Sequence, residues 1–311
     1  MLLRSKKTED VCKEFLEKLK SERKKLSTRA NYQQKIYKYI LPNLPFLAKK
    51  IRKSDCDCLI NSLKETLSYK SINDIIILMN SIFIFSFEKK YMKKLIKLAK
   101  TEEHPVDNIE VFTKEEQEKL QEYLLSHLDY FNFSVLLALG SGIRIGELSA
   151  LTNDNFFDDF IAVKYTLQRV KNIDSNGKSP QTIIVISEAK SKKSIREVPF
   201  NDIIINTKKT LVYNKSSYIL TGSSDFIEPR SIERRFKKIL VDCKIKYRKF
   251  HTLRHTFAMN CVKGGMSIEL LSELLGHSSI KTTRKYYIHY DLEIKKEELK
   301  KVHLHLKTQM S

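Results

Sequence analysis

Val11, Cys12, Phe15, Leu16 and Leu19 recur three and four residues apart, which places them along one face of a helix. Ser71-Ile72-Asn73-Asp74 has the polar start of a second long helix, and the first hundred residues read as helical throughout. The most apolar run, over 75–87, is broken by Asn80 and Ser81 and stops at Glu88, short of the ~18 uninterrupted apolar residues of a membrane span. Over 99–112 the pattern is that of a linker, with Pro105 ending any helix before it. Thr113-x-x-Glu116 is then a capping box that opens the next helix. Beyond residue 160 the period shortens. Phe160-Ile161-Ala162-Val163, Thr182-Ile183-Ile184-Val185-Ile186 and Ile195-Arg196-Glu197-Val198-Pro199 read as short strands, and helices return after about residue 229.

The elements predict a mainly α fold with a small β-sheet in its second half. An all-helical domain spans 1–98, a linker 99–112, an α+β domain 113–290 and a tail helix 291–311. The tail has an apolar stripe of Leu292, Ile294, Leu299, Val302 and Leu304, suited equally to packing on its own domain or on a neighbouring protomer.

Charge changes this picture. The 311 residues contain 57 Lys and Arg against 37 Asp and Glu, a net charge of +20. Residues 1–100 hold 24 of the bases and 10 of the acids, so +14 falls on the helical domain and +6 on the rest. Scattered lysines ordinarily serve solubility, but this imbalance over one compact domain points to a polyanion, most simply DNA. The N-terminus, Met1-Leu2-Leu3-Arg4-Ser5-Lys6-Lys7, becomes charged too early for a secretory signal, so a cytoplasmic location and no membrane partner are expected. Five widely spread cysteines form no disulfide framework, and Cys56-x-Cys58 lacks the second pair of a zinc site.

Four segments could carry chemistry. In Gly140-Ser141-Gly142-Ile143-Arg144-Ile145-Gly146-Glu147, Arg144 and Glu147 fall on one helix face, in isolation a surface ion pair of a few tenths of a kcal/mol. Ala189-Lys190-Ser191-Lys192-Lys193-Ser194 is a basic hairpin tip. In His251-Thr252-Leu253-Arg254-His255 the two histidines are four apart, but the glutamate of a zinc protease is missing and an arginine lies between them. The fourth segment is Leu274-Leu275-Gly276-His277-Ser278-Ser279-Ile280-Lys281-Thr282-Thr283-Arg284-Lys285-Tyr286-Tyr287. On one continuous helix, nine residues turn by ~900° and would put His277 and Tyr286 on opposite faces, so they converge only if the helix breaks. Gly276 supplies the break, and Ser278 and Ser279 supply caps for a new helix.

Taken in order, these segments resemble the tyrosine recombinase (integrase) family over nearly the whole chain. The resemblance implies a core-binding domain followed by a catalytic domain, with Arg144, Lys190, His251, Arg254, His277 and Tyr286 as the catalytic set. Tyr286 is nine residues after His277 and three after Thr283, as in that family, with Tyr287 the neighbour to test beside it. Lys190 is chosen over Lys192 and Lys193 by its distance from Val198-Pro199. In such enzymes Arg144, Arg254 and His277 would neutralise the non-bridging phosphate oxygens, each well-aimed donor being worth ~2.7–4 kcal/mol of barrier. Tyr286 would be the nucleophile, with His251 on the base side and Lys190 as acid for the departing 5′-oxygen.

The resemblance further implies a covalent 3′-phosphotyrosine, no metal, ATP or other cofactor, and double-stranded DNA target sites bound by a dimer per site. Two duplexes would be held in a homotetramer. Two alternatives use the same residues differently: a type IB topoisomerase-like nicking-closing enzyme, and a catalytically silent DNA-binding regulator.

Overall fold

A computed structural model of the chain describes residues 4–102, 109–174, 181–188 and 195–287, with the side chains of 285–287 excepted. It divides into two compact units, Met1–Pro105 with Val170–Ile183, and Val106–Arg169 with Ile184–Ser311. Pro105, the hairpin tip over 189–194 and the tail over 291–311 lie outside the described residues.

In the first unit, helices α1 (Thr8–Ser21), α2 (Leu26–Lys35), α3 (Lys53–Lys64) and α4 (Tyr69–Glu88) enclose one apolar core. The face expected for α1 is the one that is buried, with Val11, Cys12, Phe15 and Leu19 inside. Helix α2 runs on through a π turn, Ile36–Ile40, that sets both isoleucines into the core. Helix α4 starts two residues before Ser71, because Ser68 is its N-cap and accepts from the Ser71 amide.

Two expectations change here. By length and hydropathy α4 could cross a membrane, yet Ile72, Ile75, Ile76, Leu78, Met79, Ile82 and Phe83 are all buried, and it is the central helix of this core. The helical reading also fails after Glu88, since 92–102 is not helical. Asn80 and Asn73, seven apart on α4, each exchange two hydrogen bonds with the main chain of that segment. Asn80 binds the Leu98 amide and carbonyl at 2.9 Å, and Asn73 binds those of Thr101 at 2.8 and 3.1 Å. The side-chain amides thus replace the pairing a helix would have supplied.

The second unit is built on α5 (Lys114–Ser126) and α6 (Tyr130–Ser141), with Thr113 and Glu116 closing the expected capping box. Helix α6 is apolar all round and buried, which makes it the axis of the larger core with Phe131, Phe133, Leu136, Leu137, Phe236 and Phe250. After the short α7 (Ile145–Ser149) come strands β1 (Phe160–Val163), β2 (Tyr165–Lys171), β3 (Thr182–Glu188) and β4 (Arg196–Pro199).

The strands form two ladders, β1 with β4 and β2 with β3. β1 and β4 are antiparallel, with Ile161 opposite Val198 and Val163 opposite Arg196. Helix α8 (Asp202–Lys209) follows, unforeseen because its isoleucines look like a strand. Asn201 caps it by accepting from the Ile204 amide, and Ile204 is buried. Then α9 (Pro229–Asp242), α10 (His251–Lys263), α11 (Ile268–Leu275) and α12 (Ile280–Tyr287) follow among the described residues. A smaller core, with Ala258, Val262, Leu271 and Leu275, joins α10 to α11.

Candidate active site

Helix α6 ends in a left-handed turn at Gly142, φ 63°. A Cβ there would meet the Phe257 ring at 2.5 Å, so only glycine fits. The turn delivers Arg144 as the N-cap of α7, where the Arg144 amide donates to Glu147 Oε2 at 2.9 Å. Arg144 Nη1 reaches Glu147 Oε1 at 2.7 Å. This is not the surface pair that spacing alone suggests. Glu147 is 6% exposed, and its two oxygens also accept from Arg196 Nη1 and Nη2 at 3.1 and 2.9 Å. One buried carboxylate therefore anchors two guanidiniums, and only Arg144, a third exposed, opens toward solvent.

The end of α11 supplies the complementary half. The last carbonyls of a helix lack partners within it and carry the negative end of its dipole. Here three in succession accept from three arginines. Leu274 O takes Arg196 Nε at 2.6 Å, Leu275 O takes Arg254 Nη2 at 2.6 Å, and Gly276 O takes Arg144 Nη2 at 3.3 Å. Arg254, on α10 and 2% exposed, also donates from Nη1 to Gly142 O at 2.8 Å, so the ends of α6 and α11 converge on it. Gly276 has φ 63° and lies so near Arg196 that a Cβ would approach its Cδ to 3.0 Å.

The chain then breaks as the sequence predicts. His277 follows Gly276, Ser279 accepts from the Lys281 amide, and α12 begins at Ile280. His277 Nε2 lies 3.0 Å from Arg254 Nη2, and its Nδ1 lies 2.8 Å from Thr283 Oγ1. Tyr286 is on the backbone of α12, while its side chain and all of Lys190 lie outside the described residues. His251 opens α10 and stands edge-on to His255, with ring centroids 4.8 Å apart.

The electrostatics follow from this crowding of cations. His277 is pushed down to about 4, first by burial and then by the charges of Arg254, Arg144 and Arg196. His251 keeps one edge open to solvent, yet the protein packed round its ring, then His255, Arg254 and Arg144, push it to about 4 as well. His255 is lowered by burial and by Arg254. For Glu147 burial acts the other way, but the Arg196 hydrogen bonds and the charges of Arg196 and Arg144 prevail and hold it at about 2. The cluster thus carries three fixed positive charges and one negative, with two neutral imidazoles beside them. Such a site favours an incoming anion with several oxygens to be satisfied. Among the described residues no group of three or more His, Cys, Asp or Glu is gathered to hold a metal.

Residues 102–293 match the phage integrase family. The chain belongs to that family. A XerC-like tyrosine recombinase of Caldanaerobacter subterraneus subsp. tengcongensis is 31% identical over 253 residues, covering 73% of this chain and 63% of that protein. The integrase of transposon Tn1549, solved with transposon right-end DNA, superposes with a TM-score of 0.72 at 19% identity, over 94% of this chain and 99% of that one. A lambda integrase tetramer bound to a Holliday junction gives 0.63 at 17% identity, over 92% and 80%. The mainly helical integrase fold with small sheets is thereby shown. The chain spans about half to two thirds of the length of the curated relatives it matches.

Of the six residues singled out from the sequence of this integrase-family chain, four meet in one place: Arg144, Arg254, His277 and, at its edge, His251. Sequence reasoning missed Arg196 and the shared burial of Glu147. A signal for Arg196 existed, since it lies two residues from Val198 on the inward face of β4, where a charge is out of place without a partner.

Proposed function

We propose that this chain is a site-specific DNA recombinase that cuts and rejoins strands through a 3′-phosphotyrosine on Tyr286. The observation that carries the reading is the convergence of Arg144, Arg254 and His277 at the end of α11, immediately before the helix that contains Tyr286. A phosphodiester resists attack because its oxygens are negative and its leaving alkoxide is poor. Arg144 and Arg254 present planar forks to the non-bridging oxygens, and His277 adds a third donor once phosphate is bound. Tyr286 Oη attacks phosphorus and passes its proton toward His251. The bond from phosphorus to the 5′-bridging oxygen breaks, and Lys190 protonates the oxygen that leaves. A 5′-hydroxyl from another strand reverses these steps, so the phosphodiester energy is retained and neither metal nor ATP is called for.

The partners of this reading are double-stranded target sites, each held by a dimer, with two duplexes in a homotetramer. The net charge of +20 and the tetrameric arrangement of the lambda integrase relative support it. The protein would act in the cytoplasm, with 1–98 clamping DNA and 113–290 doing the chemistry.

Trapping tests the reading. Wild type, Tyr286→Phe and Tyr287→Phe are incubated in EDTA with nicked duplexes from the source genome, and denaturation-resistant protein–DNA adducts are counted. An adduct lost only in Tyr286→Phe is expected. Tight binding without an adduct from any variant would instead favour the DNA-binding regulator. Arg144→Ala should lose the adduct while keeping most of its DNA affinity, and an undiminished adduct would remove Arg144 from the site.

A further inference from the structure

His277 is held from both sides. A guanidinium has only donors, so at 3.0 Å from Arg254 Nη2 the Nε2 atom accepts. A neutral imidazole then carries its proton on Nδ1 and donates it to Thr283 Oγ1 at 2.8 Å. In that tautomer Nε2 has no proton to offer a phosphate oxygen. Thr283 bears on this because its hydroxyl is the acceptor that the Nδ1–H of an imidazolium needs. When phosphate charge draws a proton from solvent onto Nε2, Nδ1 keeps its own proton and Thr283 continues to accept from it, which stabilises the imidazolium. Thr283 is 0% exposed, so its hydroxyl is not shared with bulk water.

Its place in the chain gives the contact a second meaning. His277 precedes α12, whereas Thr283 lies within it, three residues before Tyr286. One hydrogen bond therefore joins the imidazole to the helix that contains the tyrosine. We propose that Thr283 is a positioning residue that accepts from the Nδ1–H of His277, in the neutral ring and in the imidazolium alike, and couples its presentation to the docking of α12. On this proposal His277 is ready to donate only when the Tyr286 helix is in place. The coupling rests on the recombinase reading above, in which His277 serves the phosphate.

The test uses the full chain with the nicked duplex that it binds most tightly among fragments of its own genome. Thr283→Val keeps the shape and removes the hydroxyl, and Thr283→Ser restores the hydroxyl. Thr283→Val should slow adduct formation by at least ~10-fold, up to the ~10²–10³ of losing a transition-state donor outright, with DNA affinity unchanged. Thr283→Ser should recover most of the rate. In ¹⁵N-histidine spectra of the DNA-free protein, with His277 assigned from His277→Asn, the wild type should show the Nδ1–H tautomer, and Thr283→Val, whose imidazolium has lost its acceptor at Nδ1, should take up its second proton at a lower pH than the wild type.

A wild-type His277 in the Nε2–H form overturns the proposal, as does a Thr283→Val adduct rate equal to wild type, or a Thr283→Ser rate as slow as that of Val. Absence of an adduct from the wild type would sink the recombinase reading and the coupling with it. An adduct that Thr283→Val matches would sink the coupling alone.

Discussion

At the scale of single residues, the sharpest energetic commitment is Glu147. Its carboxylate is out of water and tied to Arg196 through two oxygens, so removing Arg196 takes away its buried counter-charge and leaves it only the partly exposed Arg144. Arg196→Met should destabilise the protein by ~3–5 kcal/mol, measured by urea unfolding, although the residue touches no reacting group in the proposed chemistry. Protons report the same cluster. His251 and His277 have folded pKa values near 4 against an ordinary 6.5, so the unfolded chain binds more protons between those limits. Their contribution to stability is complete above about pH 6.5 and falls as pH drops toward 4; Glu147 adds a further loss between about 4.5 and 2. A urea midpoint measured against pH should fall in both windows, and His277→Gln should flatten the upper one. Arg144, Arg254 and His277, which the structure brings together, could be singled out in the sequence by the motifs in which they stand. For Arg196 the alternation of β4 marks a charge facing inward, but its partners, a carbonyl 78 positions away and a carboxylate 49 away, are not marked by anything near it in the sequence.

At the scale of elements, boundaries set by side chains were readable and those set by distant backbone were not. The Thr113–Glu116 box and the stop at Gly276 need only neighbours in sequence. The loss of helix after Glu88 depends on two asparagines reaching forward 18 and 28 residues, and α8 depends on burying Ile204 against the larger core. Gly276 shows both kinds of constraint together. A side chain there costs ~1–2 kcal/mol for the left-handed backbone alone, before its clash with the Arg196 side chain is counted. Gly276→Ala should therefore lower the unfolding midpoint and the adduct yield together, whereas Gly264→Ala, with no atom nearer than 3.3 Å and an ordinary φ, should affect neither much.

At the scale of the whole molecule, each unit has a large apolar core of its own, and most of the net positive charge falls in the first hundred residues. If 6–10 phosphates are neutralised, DNA affinity should fall by ~10³–10⁵ between 50 and 200 mM salt, which a fluorescence titration would read as a steep log–log slope. A slope near zero would detach the basic surface from DNA. The carbonyls that seat the arginines have a consequence in time as well. Arg144, Arg196 and Arg254 leave the ribosome before residues 274–276 do, and Thr283 later still. At ~5–20 residues per second, on the order of ten seconds separates the first arginine from the turn that aligns it. On the proposed function, a half-made chain can lie against the chromosome with every cation it needs and still be unable to cut.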